Sequence, residues 1–334
     1  MEDMTASERI RALMAGKSFD RMPVIEWAPW WNLTVERWRK EGLDCGASVW
    51  EIQDHFGLDK CIQTLVSERS SQTPVAPSHG AGIIKTPEEY YEVRKTMYRP
   101  PETLYNKEYV RTLQKQRDGG DTIHFFTVDG FFWFARELFG IEAHLFSFYD
   151  YPELLKEMCA DYLAWLKKVF EYVGNTYTFD FMSFAEDMSY NLGPMLSKDL
   201  FDEFLAPYYR EIIPVIKSIG IPVFIDSDGD ITQAVDWYAE VGADGMFPLE
   251  RQAGVDVSLY IRKQPHMTFL GHYDKMVQNK GEAAMRAEFE RILPSAQTGK
   301  VIISTDHQTP PGVSYEDYKL YVRLLKEYAA KVSR

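Results

Sequence analysis

The stretch "IPVFIDSDGD" (221–230) carries an apolar run straight into Asp226, Asp228 and Asp230. Acids at alternate positions open a calcium loop, but that motif needs glycine at its sixth place and glutamate at its twelfth. Those places hold Ile231 and Trp237, so the calcium loop is excluded. What remains is a strand tip that presents carboxylates, with Asp226 and Asp228 two apart and on one side. Similar tips recur: Glu26, Asp129, Glu186 with Asp187, Glu250, His272 with Asp274, and Asp306 with His307. Any one such acid more often caps a helix or solvates a loop. Acids and imidazoles from the last four consecutive strands (Asp226 and Asp228, Glu250, His272 and Asp274, Asp306 and His307) together suit a divalent cation. Glu186, Asp187 and Tyr190 sit where a proton donor or relay could act.

Eight short apolar runs ending in polar residues position these groups. They are "MPVIEW" (22–27), "KCIQTLV" (60–66), "IHFFTVDG" (123–130), "FMSFAED" (181–187), the 221–230 stretch, "GMFPLE" (245–250), "TFLGHYD" (268–274) and "VIISTDH" (301–307). Amphipathic segments lie between them; in "SKDLFDEFLAPYYREIIPVIKSIG", Ser197 is placed to cap and Gly220 to stop a helix. Strands alternating with helices predict an α/β protein of parallel βαβ units, and eight of them predict a (β/α)8 TIM barrel of ~250 residues. Residues 1–334 are expected as one barrel domain with a helical N-terminal segment at 1–21. An open doubly wound sheet is the alternative, but no GxGxxG follows the first strand.

Trp27, Trp30 and Trp31 follow the first predicted strand, and Phe132 lies in the aromatic run after the third. Such rings after strand ends suit a flat apolar substrate at the barrel mouth, although any single one is more often core. With 45% apolar residues the 334-residue chain can bury a large core, and its net charge of −13 excludes nucleic acid and anionic membrane surfaces as partners. No run approaches the ~18 apolar residues of a membrane span. Three scattered cysteines and an N-terminus without a signal-like apolar stretch predict a cytoplasmic protein without disulfides.

The segments "SERIRALMAGKSFDRMPV", "AEDMSYNLGPMLSKDLFDEFLAPYYREII", "PVFIDSDGDI", "GHYDK" and "ISTDHQTPPGVSYEDYKLYV" resemble the uroporphyrinogen decarboxylase superfamily, which includes the cobalamin-dependent methyltransferases. The resemblance covers nearly the whole chain and implies a (β/α)8 barrel. The decarboxylase branch carries an arginine-rich "RQAGRY" after the first strand; here "APWWNLTVERW" stands instead, and Trp30, Trp31 and Asn32 cannot pair with carboxylates as arginine does. The methyltransferase branch places zinc on His-x-Cys at the fifth strand and Cys at the eighth. This chain has Asp226-x-Asp228, then Glu250 twenty-two residues on, then Asp306-His307.

By this resemblance the expected cofactors are zinc and a corrinoid carried by a partner protein. Oxygen and imidazole ligands leave zinc a harder Lewis acid, suited to an ether oxygen rather than a thiol. Three carboxylates with one histidine would overcharge the ion, so only a subset of Asp226, Asp228, Glu250 and His307 is expected to bind, with His272 in reserve. The implied activity is methyl transfer from a methoxylated aromatic to the corrinoid protein, with Trp27, Trp30, Trp31 and Phe132 holding the aromatic or the face of the corrin ring. The alternatives are transfer from the methylcorrinoid to a folate or thiol, and a metal-free relative of the decarboxylases.

Overall fold

The architecture comes from a computed structural model that describes residues 3–105, 107–120 and 122–334. In chain order the strands are β1 (Lys60–Leu65), β2 (Thr122–Asp129), β3 (Phe181–Ala185), a short hairpin β4 (Ser189–Tyr190) and β5 (Gly193–Pro194), β6 (Val223–Asp226), β7 (Gly245–Phe247), β8 (Thr268–Tyr273) and β9 (Val301–Thr305). Seven of them form one parallel sheet in the order β1-β2-β3-β6-β7-β8-β9. Consecutive strands of this sheet are joined through helices such as Pro152–Thr176, Ala206–Ser218 and Glu282–Ala296. The expected barrel-like α/β fold is therefore present. No helix among the described residues is long and apolar enough to cross a membrane.

The first predicted strand is the exception. Residues 22–28 are buried but pair in no ladder. Pro23 lacks an N–H, and the segment is fixed by scattered bonds instead. Met22 N–H donates to Ala329 O (3.2 Å), Asp59 N–H to Val24 O (2.8 Å) and Trp27 Nε1 to Thr305 O (2.9 Å). The segment thus sits beside β9 and the start of β1, where the sheet would otherwise gape.

Aromatic rings fill the interior. The β2–β3 register pairs Phe125 with Phe181, and their rings stack at 4.7 Å. Phe224 and Phe247 approach them at 5.3 and 6.4 Å, and Trp27 closes on Phe247 at 4.9 Å. The barrel is packed rather than hollow, as its inward side chains require. Chemistry is left to the rim.

Glu186 belongs to the wall and not to the rim. It is fully buried; Oε1 accepts from Tyr209 (2.6 Å) and Tyr238 (3.1 Å), and Oε2 from the backbone N–H of Phe132 (3.1 Å) and Trp133 (3.4 Å). Those two amides open the helix Phe131–Phe139, where the helix dipole favours an anion. Burial pushes its carboxyl up to about 8, against the four donors that pull it down. Gly130 makes the contact possible: a Cβ there would lie 1.7 Å from Glu186 Oε2. Gly130→Ala is therefore expected to cost on the order of 3 kcal/mol by displacing the Glu186 carboxyl group from its partners, measured by urea unfolding.

Candidate active site at the tips of β6 to β9

The three acids of "IDSDGD" separate into three roles. Asp226 ends β6, where its carbonyl accepts from Glu186 N–H (2.8 Å). Burial, then the neighbouring Asp187 and Asp228, push its carboxyl well above the usual range. Asp230 folds back on the turn, its Oδ1 accepting from Thr232 N–H (2.9 Å). Asp228 alone reaches an open pocket. Its backbone N–H donates to Asp187 Oδ1 (3.1 Å), and the next N–H, of Gly229, donates to Glu250 Oε2 (3.2 Å). Gly229 has φ +79°, and a Cβ there would meet the Tyr190 backbone at 2.7 Å, so only glycine lets this turn slide under the β4–β5 hairpin.

The pocket holds about 370 Å³ and is lined by Asp228, Glu250, Lys275 and His307, with Trp31, Leu33 and the loop 308–311 as its outer wall. That size suits a small molecule. The wall is stitched in place: Thr34 Oγ1 donates to Thr309 O (2.9 Å), Arg37 Nη1 to Pro311 O (2.9 Å) and Trp38 Nε1 to Val313 O (3.0 Å). His307 Nε2 stands 3.9 Å from Asp228 Oδ2, beyond hydrogen-bond range, and presents its ring to the edge of Trp27 at 6.2 Å. Burial and Lys275 lower its affinity for a proton, which leaves it neutral. Lys275 Nζ pairs with Glu250 Oε1 at 3.4 Å.

Burial, Asp187 and Glu250 push the Asp228 carboxyl up to about 7, while Lys275 pulls it back. Its side chain is 38% exposed, so solvent screens part of that push. Asp306 is fully buried and pushed up to about 6 by burial; it accepts from Arg251 N–H (2.8 Å) and Lys275 N–H (3.2 Å). Three non-glycine residues around these tips take left-handed backbone: Asp187 (φ 36°), Leu249 (φ 64°) and His272 (φ 71°). Such strain gathers where a site over-determines the chain.

The structure brings together only part of the predicted set. Asp228, Glu250 and His307 share the pocket, with Asp187 behind them and Asp226 below. His272 leaves it. Its left-handed turn points the ring at Arg291, whose Nη1 donates to Nε2 (2.8 Å), while Nδ1 faces Leu249 O (3.3 Å). Burial and Arg291 lower it to about 4. Among the described residues, no three His, Cys, Asp or Glu side chains are grouped as a metal ion's ligands would be. Tyr190 is half-exposed on the hairpin above. Of the aromatic residues, Trp31 lines the pocket and Trp27 backs His307. Trp30 packs against Trp38, Phe56 and Tyr318, and Phe132 against His144 and Phe148; both are core. Lys275 was not among the predicted site residues, although it ends the quoted "GHYDK".

The family model of uroporphyrinogen decarboxylase (URO-D) matches residues 140–328, more than half of the chain. The chain belongs to the uroporphyrinogen decarboxylase family. Every pocket side chain on β6 to β9 falls inside that match, whereas Trp31 and Leu33 lie outside it. Among solved structures, a methyltransferase from Methanosarcina mazei has the same fold at 13% identity, covering 98% of this chain and 99% of its own, with a TM-score of 0.64. A B12-independent methionine synthase from Shewanella sp. W3-18-1 (10% identity, 69% and 67% covered, TM-score 0.41) is more distant, as is D-psicose 3-epimerase from Clostridium cellulolyticum H10 (11% identity, 69% and 83% covered, TM-score 0.38). Neither bears on function. No curated protein sequence matches the chain.

The tryptophans of this URO-D family member divide by position. Trp31→Leu should change ligand affinity and leave stability within about 0.5 kcal/mol. Trp30→Leu should cost about 2 kcal/mol or more in denaturant unfolding, since it opens a cavity in a packed aromatic cluster. Equal loss of stability in both would contradict the placement of Trp31.

Proposed function

We propose that this protein takes the methyl group from a methoxylated aromatic compound and delivers it to a corrinoid held by a partner protein. The observation that carries this reading is the charge balance of the mouth. A polycarboxylate substrate needs free guanidinium groups, but no arginine among the described residues lines the pocket, and those after neighbouring strands make other contacts. Arg69 pairs with Glu68 (3.2 Å), Arg291 with Glu288 and His272, Arg251 Nη1 with Val255 O (3.2 Å), and Arg136 lies over the Trp133 ring at 4.4 Å. What faces the pocket is two acids, a neutral imidazole, one ammonium and an indole, which suit a small, flat, largely neutral molecule. The likeness of fold to the Methanosarcina mazei methyltransferase supports the same reading.

A corrinoid supplies, when bound, the nucleophile that accepts the methyl group. This chain would meet it at the rim, where Trp31, Leu33, Leu65, Tyr190 and Leu192 stand exposed after or beside strand ends. An apolar rim of that kind fits a partner's surface. Within the pocket, Trp31 would lie against the ring. Asp228 would give its proton to the oxygen as the methyl–oxygen bond breaks and its electron pair stays on that oxygen. A phenol of pKa ~10 leaves far more readily with such help.

Zinc does not fit the residues as they stand. Glu250 has one oxygen on the Gly229 N–H and the other on the Lys275 ammonium. A divalent ion on that second oxygen would stand on the order of 4 Å from the ammonium, a repulsion of about 8 kcal/mol at an effective dielectric of ~20. No step is therefore assigned to a metal.

Incubation with reduced corrinoid protein and a panel of methoxyarenes, followed by cobalt absorbance, should show methylation with at least one substrate. Decarboxylation of uroporphyrinogen instead would overturn the proposal. The acid role carries a sign: Asp228 must be protonated, so transfer should be full below about pH 7 and fall as pH rises through about 7. Asp228→Asn should lower kcat by ~10²-fold or more and abolish that limb. A limb that persists in the variant belongs to another group.

A further inference from the structure

We infer that the Lys275 ammonium is the resident cation of this pocket, standing where a divalent ion would otherwise sit and facing the oxygen that gains charge as its methyl group leaves. The second clause rests on the methyl-transfer reading; the first does not. Lys275 is held at both ends. Its backbone N–H donates to the buried Asp306, and its Nζ pairs with Glu250 at 3.4 Å, with its side chain only 17% exposed. It is no wandering surface lysine. Around it, Asp228, Glu250 and His307 line the same pocket. These are oxygen and imidazole donors of the kind a divalent cation takes, yet the positive charge among them is a side chain of the chain itself. A fixed charge that needs no reorganisation is well placed to stabilise the partial negative charge that develops on the oxygen until the Asp228 proton reaches it. In that step the methyl–oxygen electron pair stays on oxygen, and the acceptor nucleophile provides the pair for the new bond. Lys275 neither gains nor loses an atom.

A cation among these donors also keeps them from closing on another: as they stand, no three among the described residues are grouped as a metal ion's ligands would be. Removing the charge while keeping the side chain's bulk should therefore create a metal site. Full-length wild type, Lys275→Met, Lys275→Arg and the double variant Lys275→Met with His307→Ala would be compared by equilibrium dialysis against zinc at neutral pH. Circular dichroism would confirm that each is folded. Lys275→Met is expected to bind one zinc at least about tenfold more tightly than wild type, and Lys275→Arg, which keeps the charge, to bind as weakly as wild type. The double variant should lose the gain, which locates the ion in this pocket. Stoichiometric zinc held tightly by the wild type would overturn the inference. So would a Lys275→Met variant with no gain, or an equal gain in Lys275→Arg. None of these readouts uses methyl transfer, so they stand whether or not the chain proves to be a methyltransferase. The chemical clause is read separately: wild-type transfer should survive chelation, and Lys275→Arg should retain more of kcat than Lys275→Met. Transfer abolished by chelation, or equal losses in the two variants, would refute that clause alone.

Discussion

The site depends on one buried carboxylate. Asp306, just past β9, accepts from the backbone of Arg251 after β7 and of Lys275 after β8. Three strand tips are thereby tied to a single side chain. Each tie lies at or beside a pocket residue: Glu250 precedes Arg251, Lys275 is itself a donor, and His307 follows Asp306. Backbone N–H groups in such loops must find a partner or keep their water. Here carboxylates supply the partners. Asp187 does the same for Asp228, and Glu250 for Gly229. The geometry of the pocket is thus set by acid-to-amide clasps between loops, with the strands fixing only where those loops begin.

Collecting so many acids has an electrostatic consequence. Asp187, Asp226, Asp228 and Glu250 repel one another in a partly dry setting, and burial adds to the cost of charge. The result is that three of these carboxyl groups hold a proton more tightly than a free one does. Asp226 is pushed well above the usual carboxylate range, Asp187 is raised, and Asp228 reaches about 7. With Asp228 at about 7, the mouth carries less negative charge near neutral pH than a count of its carboxyl groups gives. Lys275 opposes the trend at Asp228 and Asp306 alike. One ammonium among several acids leaves a pocket near neutrality, with a proton held loosely at its most open carboxyl.

The barrel was legible because seven apolar runs end in polar residues with helical segments between them, a signal that parallel strands with helices on their outer face impose. The eighth run was legible as buried and extended, but not as unpaired; Pro23 was visible, though its effect depends on neighbours a sequence does not show. At the site, periodicity identified the strand tips but not the direction of each side chain. Glu186 and His272 sit at tips like those of Asp228 and Glu250. One turns outward to cap a helix, and the other turns outward because its own backbone is left-handed. Trp30 and Trp31 are adjacent in sequence, and a helix start sends one into the core and the other into the pocket. Lys275 escaped because attention to acids and imidazoles presumes that the balancing charge comes from outside the chain.

Scale separates the two partners that the proposed reaction needs. A cavity of about 370 Å³ bounded by Trp31 and the loop 308–311 can seat a single substituted ring, but not a corrin macrocycle with its protein. In the proposed reaction the acceptor would then approach from above, over the rim of exposed apolar side chains, with the substrate below it against Asp228 and Lys275. The aromatic packing of Phe125, Phe181, Phe224 and Phe247 closes the barrel beneath, so the substrate cannot sink out of reach. On the proposed reading, a filled interior, a shallow acid–ammonium pocket and an apolar rim would hold the methyl–oxygen bond at a depth that a proton from within and a nucleophile from above could both reach.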